Sequence, residues 1–112
     1  GLDYAVNRYR REAERHYQVL EDHLEGRAFI VGDTYTIADM SAWGWLDRAS
    51  RVRKGEDDPL APYPNLKRLF ATVDGREAVA RARAVGQGHA FKTERDEETL
   101  RALFPSNYPA AR

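Results

Sequence analysis

The chain has 112 residues, with eighteen basic and eighteen acidic side chains, and each half balances by itself: residues 1–54 and residues 55–112 each carry nine of either sign. That length suits one domain with a core of its own, and the even balance leaves no basic stripe for nucleic acid, so no nucleic-acid partner is expected. The lack of cysteine excludes disulfide staples, thiolate metal sites and a cysteine nucleophile, while the lack of a long apolar run excludes a membrane span; with a polar segment directly after Gly1, a cytoplasmic protein without a membrane partner is expected.

The first predicted element is a long amphipathic helix from about Asp3 to Leu24, with Asp3 as its N-cap. Ala5, Tyr9, Ala13, Tyr17, Leu20 and Leu24 recur at spacings of three and four and so share one face, with Arg11, Glu12, Glu14, Arg15, Glu21 and Asp22 on the rest. Gly26 ends the helix. Phe29-Ile30-Val31 is too short and isolated to make a sheet, and Gly32-Asp33 reads as a turn.

A second helix is expected from Thr36, because Thr36-Ile37-Ala38-Asp39 has the form of a capping box with Asp in place of Glu. Tyr35 and Met40 occupy the staple positions. Trp43 and Trp45 lie roughly 200° apart around a helix of about 3.6 residues per turn, so this helix is expected to be central and packed on two faces. A charged loop from about Lys54 to Pro62 follows. Pro64 then opens a third helix at the position where its missing N–H costs nothing; Leu66, Leu69, Phe70 and Val73 supply its apolar face and Gly75 closes it. A short fourth helix spans about Glu77 to Val85 and stops at Gly86-Gln87-Gly88. Thr93 or Asp96 caps a last helix through Phe104, and Pro105 to Arg112 is expected to be an extended tail. Nothing in this layout calls for a sheet. The fold class is all-α, a bundle of about five helices in a single domain over residues 1–112.

Taken singly, the side chains offer little chemistry. His16 and His23 are seven apart, not the four of a helical zinc pair, and Glu56-Asp57-Asp58 lacks the alternating ligands of a calcium loop, so no metal is expected. No serine stands in a G-x-S-x-G setting, and Gly86-x-Gly88 lacks the third glycine and the lysine of a phosphate cradle. The capping box accounts fully for Thr36 and Asp39. On these grounds the chain is a helical domain with no self-contained catalytic group.

The run Phe29-Ile30-Val31-Gly32-Asp33-x-Tyr35-Thr36-Ile37-Ala38-Asp39-Met40 resembles the most characteristic motif of the C-terminal domain of the glutathione transferase superfamily. Upstream, Tyr4-Ala5-x-x-Arg8-Tyr9, Glu12 and Tyr17-x-Val19-Leu20 resemble the long helix before that motif. Downstream, Trp43-x-Trp45, Tyr63-Pro64-Asn65-Leu66, Gly75-Arg76 and Ala78-Val79 follow in the family's order, with Glu77 where the family usually has proline. The combination is most similar to the bacterial nu class, the glutathione-dependent disulfide-bond oxidoreductases.

The resemblance implies several things that composition and spacing do not. Glutathione is the expected co-substrate, bound mainly by an N-terminal thioredoxin-like domain for which this chain has no βαβ segment. That domain is an expected partner, and the chain is expected to begin after the family's first C-domain helix and to belong to a homo-oligomer. Arg8 matches a basic residue that reaches the glutathione site, and Tyr4 and Tyr9 form part of the cleft wall. Read without the resemblance, Arg8 is a solvent-facing helix residue. The expected reaction is reduction of small disulfides, to which this chain alone contributes no catalytic group; the alternative is a non-catalytic protein-interaction domain of the same fold.

Overall fold

The computed structural model describes residues 1–108, in six α-helices and one 3-10 turn: α1 (Leu2–His23), α2 (Ile37–Leu46), α3 (Ala49–Val52), α4 (Pro64–Asp74), α5 (Glu77–Ala84), α6 (Glu97–Leu103) and the turn Pro105–Asn107. No strand occurs among the described residues, as an all-α layout requires. The expected tail divides. Its first three residues form the 3-10 turn rather than extended chain, and Pro109 to Arg112 lie outside the described residues.

The hub is α4, which packs against α1, α2 and α5. Leu66, Leu69 and Val73 repeat at three and four, and all three are buried against Leu24, Leu46, Ala49 and Val79. Removing a side chain of this size from water stabilises the fold by roughly 1.5–3 kcal/mol. Tyr17 adds an edge contact to Tyr63, with ring centres 5.5 Å apart.

One ionic contact fixes how α1 meets α4. The N-terminus of α4 receives no cap from its own preceding residue, Tyr63. The Glu21 carboxylate supplies one from α1, accepting from the amides of Asn65 at 3.0 Å and Leu66 at 2.9 Å and from Asn65 Nδ2 at 2.7 Å. A helix start leaves its first amides without partners and favours negative charge, which is why a carboxylate can be buried there. Arg68 answers in the other direction, donating to the carbonyls of Leu24 and Arg27 just past the end of α1. Sequence reading placed Glu21 among the solvent-side residues of its helix, and the structure corrects that.

The capping box is present at the start of α2. Asp39 is fully buried, and its carboxylate accepts from the Thr36 amide at 2.8 Å and from the Ile30 amide at 2.9 Å, so it ties the 29–31 connector to the helix as well. Thr36 Oγ1 accepts from the Ala38 amide at 3.3 Å. Of the two staple positions, Met40 is exposed, while Tyr35 packs edge-on against Phe29 and under the Arg76 guanidinium. At the end of α1, Gly26 turns the chain through a φ of 69°, a left-handed conformation that a Cβ would strain.

Other expectations are revised. Asp3 lies inside the first turn of α1, where its charge suits the helix N-terminus, and is not a cap. The second helix ends at Leu46, and Ala49–Val52 forms a separate single turn. It is packed on one face only: Asp39, Ala42, Trp43 and Leu46 turn inward, while Ile37 and Trp45 remain 81% and 76% exposed. Trp43 donates its indole N–H to Asp74 at 2.9 Å, and Arg83 bridges Asp74 and Asp47, which joins α2, α4 and α5. Gly75 does close α4 as its C-cap, in the right-handed region, and the extended Arg76 leads into α5. Of the two caps considered for the last helix, Asp96 is the one used, accepting from the Thr99 amide at 2.9 Å.

The radius of gyration is 18.4 Å, against about 13 Å for a compact domain of this length. Two parts lie outside the core: the first half of α1, and the stretch with α6, which packs mainly on the 3-10 turn. Glu21→Ala leaves two α4 amides without a partner, so it should cost about 2–3 kcal/mol of unfolding free energy. Thr36→Ala, which removes a single weaker cap bond, should cost about 1 kcal/mol. Denaturant melts of both variants measure the difference, and equal midpoints would remove the cross-helix cap from its structural role.

Candidate functional site

The projecting half of α1 carries the residues singled out for function. Its C-terminal half is anchored through Tyr17, Glu21 and Leu24, whereas Leu2, Tyr4, Val6 and Tyr9 are all more than half exposed. Two grooves run along this free half.

The first, of about 440 Å³, is lined by Tyr4, Asn7, Arg8, Arg11, Glu12 and Arg15. Steps of four, three and four residues from Tyr4 to Arg15 keep these side chains within one strip of a helix of about 3.6 residues per turn. Tyr4 and Arg8 therefore line the same groove. Tyr9 does not join them. It stands five residues from Tyr4, roughly 140° around the helix, and lines a second groove of about 490 Å³ with Leu2, Ala5, Val6, Ala13, Arg51 and Val52.

The charges of the first groove are unevenly matched. Arg15 grips Glu12 with both of its donor groups, at 3.2 Å from Nε and 2.7 Å from the terminal nitrogen. That hydrogen bond lowers the Glu12 pKa from its ordinary value, with the charges of Arg15, His16 and Arg8 acting in the same direction, and it raises that of Arg15. Arg8 and Arg11 form no ion pair among the described residues. The neighbouring Arg10 contrasts with them, since it bonds Glu14 and Glu56 at 3.2 Å each and thereby ties α1 to the loop after α3. Arg53 completes that network, reaching Glu14 at 3.1 Å and Glu56 at 2.8 Å.

The remaining candidates are structural. His16 Nδ1 lies 2.8 Å from the Glu12 carbonyl, and His23 Nε2 lies 2.7 Å from the Ile30 carbonyl, so the two rings serve different backbone groups. Glu56 and Asp58 are drawn apart into separate pairs, with Arg53 and Lys67. No cluster of metal-ligating side chains exists among the described residues. Thr36 and Asp39 are consumed by the cap. Sequence reading missed Asn7, Arg11 and Arg15 as groove residues, although the helical spacing of positions 4, 8, 11 and 15 carried the signal.

A family model described as the C-terminal domain of glutathione S-transferase matches residues 3–72. The disulfide-bond oxidoreductase YfcG of Escherichia coli (strain K12) is 35% identical over 81 residues, which are 72% of this chain and 36% of that protein. The disulfide-bond oxidoreductase YghU of the same organism is 36% identical over 91 residues, 77% of this chain and 31% of that protein. Glutathione S-transferase 2 of Schizosaccharomyces pombe (strain 972 / ATCC 24843) is 51% identical over a shorter stretch of 41 residues, 37% of this chain and 18% of that protein. The chain thus spans about a third of the length of the first two relatives. No solved structure matches it.

The electrostatics of the groove can be checked directly. Because Arg15 stabilises the ionised form of Glu12, the Glu12 carboxyl should titrate below an ordinary glutamate, and Arg15→Gln should move its midpoint upward. Carboxyl-carbon NMR titration reads both; an unmoved midpoint would mean that the pair does not persist in solution.

Proposed function

Because the chain belongs to the glutathione S-transferase C-terminal domain family, we propose that it is the helical part of a glutathione-dependent disulfide oxidoreductase, in which the free half of α1 walls the substrate cleft. The observation that carries this reading is the meeting of Tyr4 and Arg8 in one groove on the half of the helix that the rest of the chain leaves uncovered. Two relatives named as disulfide-bond oxidoreductases align over most of this chain, which supports the reaction class.

In the overall reaction, two glutathione thiols supply the two electrons that convert one disulfide into two thiols, and leave joined as glutathione disulfide. Each step needs a thiolate attacking in line with the S–S bond, and the thiolate must be held by preorganised donors. The described groove has no such donor set; those donors belong to a thioredoxin-like domain beyond this chain. What α1 contributes is recognition. Arg8 presents a planar fork of N–H donors to a glutathione carboxylate, which fixes orientation as well as adding affinity, and the Tyr4 ring gives the bound molecule a flat wall. Tyr9, on the other groove, faces whatever covers the apolar side of α1.

The same reading accounts for the surface left bare. Leu2, Val6 and Tyr9 on α1, together with Ile37 and Trp45 on α2, are large exposed side chains of the kind that a partner buries. The thioredoxin-like domain and a second subunit are the proposed cover. No helix of the described residues is long and apolar enough to cross a membrane.

The test joins the upstream domain to this chain and compares the two proteins. The 112-residue chain alone should show no turnover with glutathione and a small disulfide, while the longer protein should be active. There, Arg8→Ala should raise the KM for glutathione about tenfold, equivalent to about 1.4 kcal/mol, with a smaller change in kcat. An unchanged KM would take Arg8 out of the site. Sedimentation offers a second measurement: the chain alone should self-associate with rising concentration, whereas a monomer throughout would mean that its bare faces need no cover.

A further inference from the structure

The cationic groove holds one more positive group than the proposed function uses. Its lining has three guanidiniums and one carboxylate, and the carboxylate is already taken by Arg15. Arg8 and Arg11 remain, three residues apart on one helix face, where side chains stand about 5–6 Å from each other at Cβ. Their lack of partners is not for want of acids on the helix, because Arg10 and Arg15 both found theirs within one turn.

Glutathione carries two carboxylates and one ammonium, a net charge of about −1 near neutral pH. The reacting thiolate is met by the donors of the thioredoxin-like domain, so glutathione bound through Arg8 leaves a net positive charge at Arg11. A cation left unpaired in a cleft closed by a second domain is costly, and a substrate that brings its own carboxylate removes that cost. We infer that Arg11 is a specificity-determining residue that binds a carboxylate of the second substrate, so that the site selects anionic disulfides over neutral ones. This rests on the disulfide-oxidoreductase reading above. Arg11 makes and breaks no covalent bond: the electrons still pass from the glutathione thiolate into the S–S bond, and the released thiolate takes a proton from solvent. Its guanidinium only decides which disulfide stays long enough to react. The second groove does not compete for this role, since Arg51 and Lys54, which form no ion pair among the described residues, line it together with the apolar Leu2, Val6 and Ala13.

The experiment uses the 112-residue chain and two disulfides of similar size, dithiodipropionate with two carboxylates and hydroxyethyl disulfide with none, titrated at low ionic strength. The guanidinium N–H signals of Arg8 and Arg11 are followed by NMR. Dithiodipropionate should shift both signals saturably, at least threefold more tightly than hydroxyethyl disulfide shifts them. Arg11→Gln should abolish that preference, Arg11→Lys should restore part of it, and Arg51→Gln, on the other groove, should leave it intact. Equal affinity for the two disulfides, no saturable shift, or an undiminished preference in Arg11→Gln would each overturn the inference. Reduced glutathione, titrated separately, reports on the underlying reading: if it shifts Arg8 equally in the parent chain and in Arg11→Gln while dithiodipropionate shows no preference, the role of Arg11 fails and that of Arg8 stands.

Discussion

The architecture depends on a carboxylate of one helix capping another. Glu21 closes the open N-terminus of α4 from across the interface, and Arg68 returns a guanidinium to the carbonyls at the end of α1. Because the bonds run both ways between the same two helices, they set rotation and axial register together. Leu24, Leu66 and Leu69 can then pack together in the buried core. An apolar interface alone tolerates sliding, since burial is roughly proportional to area and indifferent to direction. A buried carboxylate has no such tolerance: away from the amides that it caps, it would be an unpaired charge.

This anchoring also explains how one helix serves two purposes. The last two turns of α1 are held by α4, and the loop after α3 grips its middle through Arg53 and Arg10. Among the described residues, the first turns make no side-chain bond to another element. They are nevertheless rigid in the sense that matters for recognition, because they continue a helix whose other end is fixed. A binding strip built on a helix keeps its side chains in register better than one built on a loop. Arg8 and Arg11 owe their placement to the Arg10–Glu56 bond beside them and to the contacts with α4 further along the same helix.

The two capping motifs divide the work. Asp39 acts locally: it closes its own helix and pulls in the Ile30 amide, so the connector needs no sheet to satisfy it. Trp43, on the next turn, donates to Asp74 at the far end of α4, while Arg83 packs over the Trp43 ring and binds the same aspartate. The family's signature run thus has a physical content. It starts a helix at a defined residue, and that helix can then deliver its tryptophan to the correct end of α4.

The sequence by itself determined the all-α class, the positions of α1, α2, α4 and α5 within a few residues, the Thr36–Asp39 box and, through a motif in the family's order, the family. These are local properties: a helical period, a cap or a turn glycine is decided by residues three or four apart. What depended on distance stayed hidden. Glu21 and Asn65 are 44 residues apart, and nothing near either announces the other. The one-sided burial of α2 was equally hidden, because Ile37 and Trp45 are as apolar as the residues that turn inward. The groove lies between these cases. The spacing of Tyr4, Arg8, Arg11 and Arg15 was legible, and the Arg15–Glu12 pair is local as well, three residues apart, but only the tertiary structure showed that this strip belongs to the exposed half of α1. Burial, and pairing between distant elements, are properties of the whole packed chain, so only the tertiary structure could decide them.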